Sequence, residues 1–168
     1  MSFDLYFLAG REGQAWEDAV AVLQDLPEAA LTDEDVLLWQ RLEREVRALL
    51  PEVESFEGER NRELTHDETG IQISLVHGDL SLSVPYWYSG PESEAVITRL
   101  RQVVEVIERA SGLTAYDPQA EAPFLGEGDQ VASGTFDQVD RALRDQKTAV
   151  GADVAPLPKP WWRKFLGK

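Results

Sequence analysis

Cysteine is absent, methionine occurs once and histidine only twice in the 168 residues. Disulfides, cysteine-ligated zinc and thiol nucleophiles are thereby excluded, and imidazole chemistry is confined to His66 and His77. No apolar run approaches the ~20 residues that a membrane-spanning helix needs. The apolar opening has no basic stretch ahead of it, so it reads as a first strand rather than a secretion signal. A glycine-rich phosphate loop, a nucleophile elbow and zinc-ligand spacing are also missing, and no repeat marks a solenoid. No cofactor is expected, and a chain without cysteine suits a cytoplasmic setting.

Positive charge is scarce. Sixteen Lys and Arg face 31 Asp and Glu, a formal net charge of −15. Such a field repels nucleic-acid phosphates and steers the molecule toward a basic protein partner, so nucleic acid is excluded as a partner of the body. The imbalance is uneven: the last ten residues hold Lys159, Arg163, Lys164 and Lys168 and no acid. The chain is an acidic body with a basic, aromatic tip.

What is present is a globular composition, 43% hydrophobic and 28% charged. The clearest pattern runs from Ile71 to Tyr88. Apolar residues alternate through Ile71, Ile73 and Leu75 and again through Leu80, Leu82, Val84 and Tyr86, two half-buried strands. Gly78-Asp79 suits a type II′ reversal. That turn sets Leu75 opposite Leu82, Ile73 opposite Val84 and Ile71 opposite Tyr86, with Gln72, Ser74, Ser81 and Ser83 on the other face. Around this hairpin the periodicity predicts a strand over 2–8 with apolar residues on both faces, hence interior, and a helix over 14–26. A second helix opens at Thr32, where Thr32-Asp33-Glu34-Asp35 has capping-box form, and closes at Pro51. Residues 52–70 read as a polar connection with one short strand near 63–65. A helix from Pro91 ends at Gly112, a good left-handed C-terminal residue, and a strand over 114–117 follows.

These elements predict an α+β domain over 1–119: an antiparallel or mixed sheet of about four strands with helices packed on one face, a ferredoxin-like or split β-α-β variant. Residues 120–150 form an extension with a short helix. Residues 151–168 are a Pro-rich linker and the basic aromatic tail.

Chemistry-bearing residues are few. His66, Asp67 and Glu68 are the one tripeptide with metal or acid/base character, and Arg60 to Glu68 is the densest mix of charge. Trp87, Tyr88, Arg60, Asp67 and Glu68 form the candidate partner-binding set, since aromatics and arginine dominate interface hot spots. Trp161, Trp162, Arg163, Lys164 and Phe165 make a second one. That short amphipathic stretch suits an anionic membrane surface, a sister chain in a homo-oligomer, or the acidic body itself.

Met1-Ser2-Phe3-Asp4-Leu5-Tyr6, Val84-Pro85-Tyr86-Trp87 and Tyr116-Asp117-Pro118-Gln119 together resemble a group of small uncharacterised bacterial proteins that open M-S-[FY]-D-[LI] and recur in actinobacteria. The resemblance spans residues 1–119 and implies a compact α+β domain without an assigned activity. Small acidic bacterial domains of this kind are similar in character to immunity proteins that neutralise secreted toxins. Three functional readings follow: a non-enzymatic interaction module of immunity type, a small metal-dependent or acid/base enzyme using the 60–68 segment, and a peripheral membrane adaptor acting through the tail.

Overall fold

The computed structural model describes residues 2–10, 15, 18–20, 30–86, 88 and 91–125. Trp87, the helix expected within 120–150 and the tail lie outside these residues, as does most of the helix expected over 14–26; residues 18–20 within it are helical. The remaining described elements are β1 (Ser2–Leu8), α1 (Asp33–Leu49), β2 (Glu54–Glu57), β3 (Asn61–His66), β4 (Ile71–Val76), β5 (Asp79–Pro85), α2 (Pro91–Ser111), β6 (Thr114–Asp117) and β7 (Ala122–Pro123).

The strands form one antiparallel sheet of seven in the order β2-β3-β4-β5-β1-β6-β7. The fold is α+β, but the expected four-strand ferredoxin-like sheet is replaced by a wider one. Split β-α-β folds carry parallel neighbours, whereas here β1 lies between β5 and β6 and runs antiparallel to both. The extra width comes mainly from residues 52–70, where the short strand expected near 63–65 is the longer β3 and a further strand, β2, stands in what was expected to be connection. All four residues of β2 are exposed, so no alternation marks it. On β3 the inward positions are Arg62, Leu64 and His66, of which one is apolar.

The hairpin sits at the centre of the sheet, with its register displaced from the expected one. His77 (φ 54°) and Gly78 (φ 88°) are both left-handed, which is a type I′ turn, so the central pair is His77-Gly78 rather than Gly78-Asp79. Leu75 therefore faces Leu80 and Ile73 faces Leu82, two residues from the expected partners. A shift of two keeps every side chain on its own face. On β1, Phe3, Leu5 and Phe7 lie opposite Val84, Leu82 and Leu80.

Two of the described helices, α1 and α2, cover this apolar face. Thr32 caps α1: its Oγ1 accepts from Asp35 N (3.2 Å) while Asp35 Oδ2 accepts from Thr32 N (2.8 Å). Gly112 ends α2 at φ 73°, its N–H donating to the Glu108 carbonyl (2.8 Å). The helices run antiparallel, tied by Arg41 Nη1 donating to the Ala110 carbonyl (3.1 Å) and by Arg109 against Glu45 (3.2 Å). Trp39, Leu42 and Val46 of α1 and Val96, Leu100, Val103 and Ile107 of α2 share one core with the sheet, and Phe124, packed on Phe3 at 5.9 Å between ring centroids, belongs to it. The opposite face is polar across its centre, through Ser74, Ser81 and Ser83, but Leu8 and Tyr116 are buried on it.

Leu82 is flanked by Ile73 and Leu5 in the middle of the ladder. Leu82→Ala is expected to cost about 2–5 kcal/mol of stability, read as a lower urea midpoint. Asp79, beside the type I′ turn, has a buried Oδ1 with no hydrogen-bond partner among the described residues. Burial pushes its carboxyl up to about 6, against the opposing pull of His77. Because the folded value lies above the ordinary 3.8, the native state holds the proton more tightly, and stability falls as pH rises from about 4 through 6. Asp79→Asn is expected to flatten that fall and to be more stable than the parent at pH 7 but not at pH 3.5, checked by urea unfolding at both values.

Candidate functional site

The sheet and helix layers part at one end. There β3 finishes at His66, the Asp67–Gly70 turn leads into β4, α1 finishes at Leu49, and α2 begins at Pro91. Each boundary has a local cause: Pro51 stops α1, Gly70 (φ 63°) closes the turn, and Pro91 fits a first helical turn. Between them lies a cleft of about 660 Å³. Its floor is apolar, from Leu49, Leu50, Ala95 and Val96. Its rim carries Glu52, Glu68 and Glu92 against one cation among the described residues, Arg99, whose Nη1 is engaged with Gln102 Oε1 (3.0 Å).

Two side chains shape the interior. His66 is buried, and its Nδ1 lies 2.8 Å from Thr69 Oγ1; that hydroxyl oxygen also accepts from Ile71 N (3.3 Å). The imidazole is thus held by the turn rather than by a carboxylate. Tyr88 donates its hydroxyl to the Glu68 carbonyl (3.1 Å), bridging the chain ahead of α2 to the β3–β4 turn and closing one wall.

Of the residues singled out from sequence, the structure brings His66, Glu68 and Tyr88 together around this cleft. Asp67 is exposed in the same turn. Arg60 is not part of the group. It sits in the β2–β3 turn, its carbonyl accepting from His77 N (3.4 Å), at the other end of the six-residue strand β3. At ~3.3 Å per residue that is roughly 20 Å from His66. The 60–68 segment is a strand with a turn at each end and not one catalytic loop. His66 faces inward whereas Asp67 and Glu68 are exposed, and among the described residues no group of three or more such side chains is placed to hold a metal ion. Trp87 and the tail set (Trp161, Trp162, Arg163, Lys164, Phe165) lie outside the described residues. Sequence reasoning missed Glu52, Glu92, Arg99 and the apolar floor. Helix-end signals at Pro51 and Pro91 were legible, but nothing local said that the two ends meet.

A second polar group lies away from the cleft. Asp117 is fully buried; its Oδ1 accepts from Gln119 N (2.8 Å) and Ala120 N (3.3 Å), while Oδ2 has no partner among the described residues. Burial raises its carboxyl above the ordinary range, and those two backbone bonds oppose the rise. The Tyr86 hydroxyl meets the Gln119 amide at 2.8 Å (Oε1) and 2.6 Å (Nε2). The group anchors the β6–β7 turn.

Among the described residues no helix is long and apolar enough to cross a membrane. Compared with protein-family models, curated proteins and solved structures, the chain matches none of them.

Thr69 is the contact on which the cleft's inner wall turns. Thr69→Val removes the partner of both His66 and the Ile71 amide at nearly constant volume, and is expected to cost about 1–3 kcal/mol. The check is urea unfolding alongside the His66 Nδ1 nitrogen shift by NMR, which moves only if the bond to Thr69 exists in solution.

Proposed function

We propose that this protein is a non-enzymatic interaction module whose acidic surface takes a basic protein partner, with the cleft beside α2 as the point where a cationic side chain of that partner enters. The observation that carries the reading is the lining: three carboxylates, Glu52, Glu68 and Glu92, outnumber Arg99, which is engaged with Gln102, around an apolar floor of Leu49, Leu50 and Val96. A lysine or arginine suits such a site at both ends, its alkyl stem on the floor and its charge among the carboxylates. Tyr88, fixed by its bond to the Glu68 carbonyl, supplies a rigid aromatic wall of the kind that anchors interfaces. The overall charge of −15 speeds encounter with a basic partner and makes it sensitive to salt. In its finer form the reading is an immunity-type inhibitor of a basic bacterial toxin.

The acid/base alternative draws less support. A catalytic histidine works with a nucleophile within hydrogen-bond reach and a group that orients the ring. His66 has one hydrogen-bond partner among the described residues, Thr69, and one group cannot serve as nucleophile and as the orienter of the ring at once.

The test is differential capture from the native host's lysate by the full chain and by Glu68→Lys/Glu92→Lys, each at low and moderate salt. A basic protein taken up stoichiometrically by the parent, lost as salt rises, and bound at least about ten-fold more weakly by the double variant is the expected result. Equal capture by both proteins, or none by either, overturns the reading.

A further inference from the structure

The edge of the sheet next to the cleft has chemistry of its own. β2 ends the strand order, all four of its residues are exposed, and no strand pairs with its outer side among the described residues. An edge strand presents alternate backbone N–H and C=O groups with hydrogen bonds left to make. Acids crowd it: Glu52, Glu54, Glu57 and Glu59 are all exposed within eight residues, with Arg62 Nε of β3 lying 3.8 Å from Glu57 Oε2 as a counter-charge. Between them Phe56 is 49% exposed, on the face of the sheet turned away from the helices.

Charge decides what this edge can accept. A second copy in antiparallel pairing sets Glu54 against Glu57 at both ends of the strand, and a parallel copy in register sets each glutamate against its twin. Like charges directly opposite are destabilising, so self-association is disfavoured. The same acids favour an oppositely charged strand, so one device repels one occupant and selects another. Acids alone would suffice to protect the edge, and the exposed phenylalanine is what that explanation leaves over.

We propose that the outer edge of β2 receives an extended, lysine- or arginine-bearing segment of a partner protein as an added antiparallel strand. Its pattern follows from the register: a cation opposite Glu57, an apolar residue opposite Phe56, any residue opposite Ser55, and a cation opposite Glu54. Backbone hydrogen bonds hold the segment, and the alternating side chains give it specificity. The edge leads into the cleft through Glu52, which lines the rim two residues before β2 begins. The inference deepens the reading above by giving the way the partner's backbone is held, and rests on it for the sign of the partner's charge.

The test is amide hydrogen exchange on the full chain with an end-blocked Lys-Val-Thr-Lys-Val-Thr-Lys peptide, beside its counterpart with glutamate for lysine. The lysine peptide is expected to slow exchange of the two outward amides within 54–57, those of Ser55 and Glu57, by about ten-fold or more at saturation, and the glutamate peptide to leave it unchanged. Glu54→Lys/Glu57→Lys abolishes the effect, and Phe56→Ser, a change at an exposed side chain, weakens it. Protection that is absent, that falls elsewhere in the chain, or that is equal with both peptides overturns the proposal. Slowed exchange at 54–57 without differential capture by the cleft variant leaves the edge standing and removes the cleft; the reverse result removes the edge alone.

Discussion

The placement of β5 between β4 and β1 is the constraint on which the other layers depend. Leu80 and Leu82 each face an apolar residue on both sides, Leu75 and Phe7 in one row and Ile73 and Leu5 in the next, while Val84 faces Phe3. A slip of one residue would turn this set toward the polar face and bring Ser81 and Ser83 under the helices, so the ladder has one low-energy arrangement. Both helices bury their stripes against it. The cleft exists because the helix layer stops short where the β3–β4 turn rises, which leaves His66 at the margin of the core with an open wall beside it.

The two faces of the sheet do different things. One is apolar and closed by helices. The other carries a row of polar side chains that crosses strands, Glu63 to Ser74 to Ser81 to Tyr6, before meeting the buried Tyr116. Exposed apolar groups on that face are confined to Phe56 and Val76 among the described residues. An acidic rim around an apolar hollow and an acidic edge around one phenylalanine repeat the same pairing of charge and grease at two places that adjoin through Glu52.

How much of this was legible in the sequence depended on whether the signal was local. Thr32 and Gly112 announced their helix ends through side-chain capping and the freedom of glycine at positive φ, and both stand where expected. Alternation told which face each hairpin residue occupies and could not tell its partner, because a displacement of two preserves the pattern; the left-handed His77 chose the register. Strand β2 was illegible, and β3 was legible only as the short strand near 63–65, for an energetic reason. An edge strand buries almost nothing, and an inward row of Arg62, Leu64 and His66 has no apolar period to read. For the site, His66, Glu68 and Tyr88 were visible as residue types. Glu52 and Glu92 were not, since they stand some forty residues apart and meet only through the antiparallel packing of α1 and α2.

One arginine joins these parts in a way that bears on mechanics. Arg47 holds Glu43 through Nε and Nη2 (3.0 and 2.9 Å), and with Nη1 it donates to the carbonyl of Val53, at 2.6 Å, one residue ahead of β2. The edge strand is therefore tethered to the helix as well as laced to β3. A pull on the start of that strand would pass tension through a guanidinium into the last turns of α1, the turns that form the floor of the cleft.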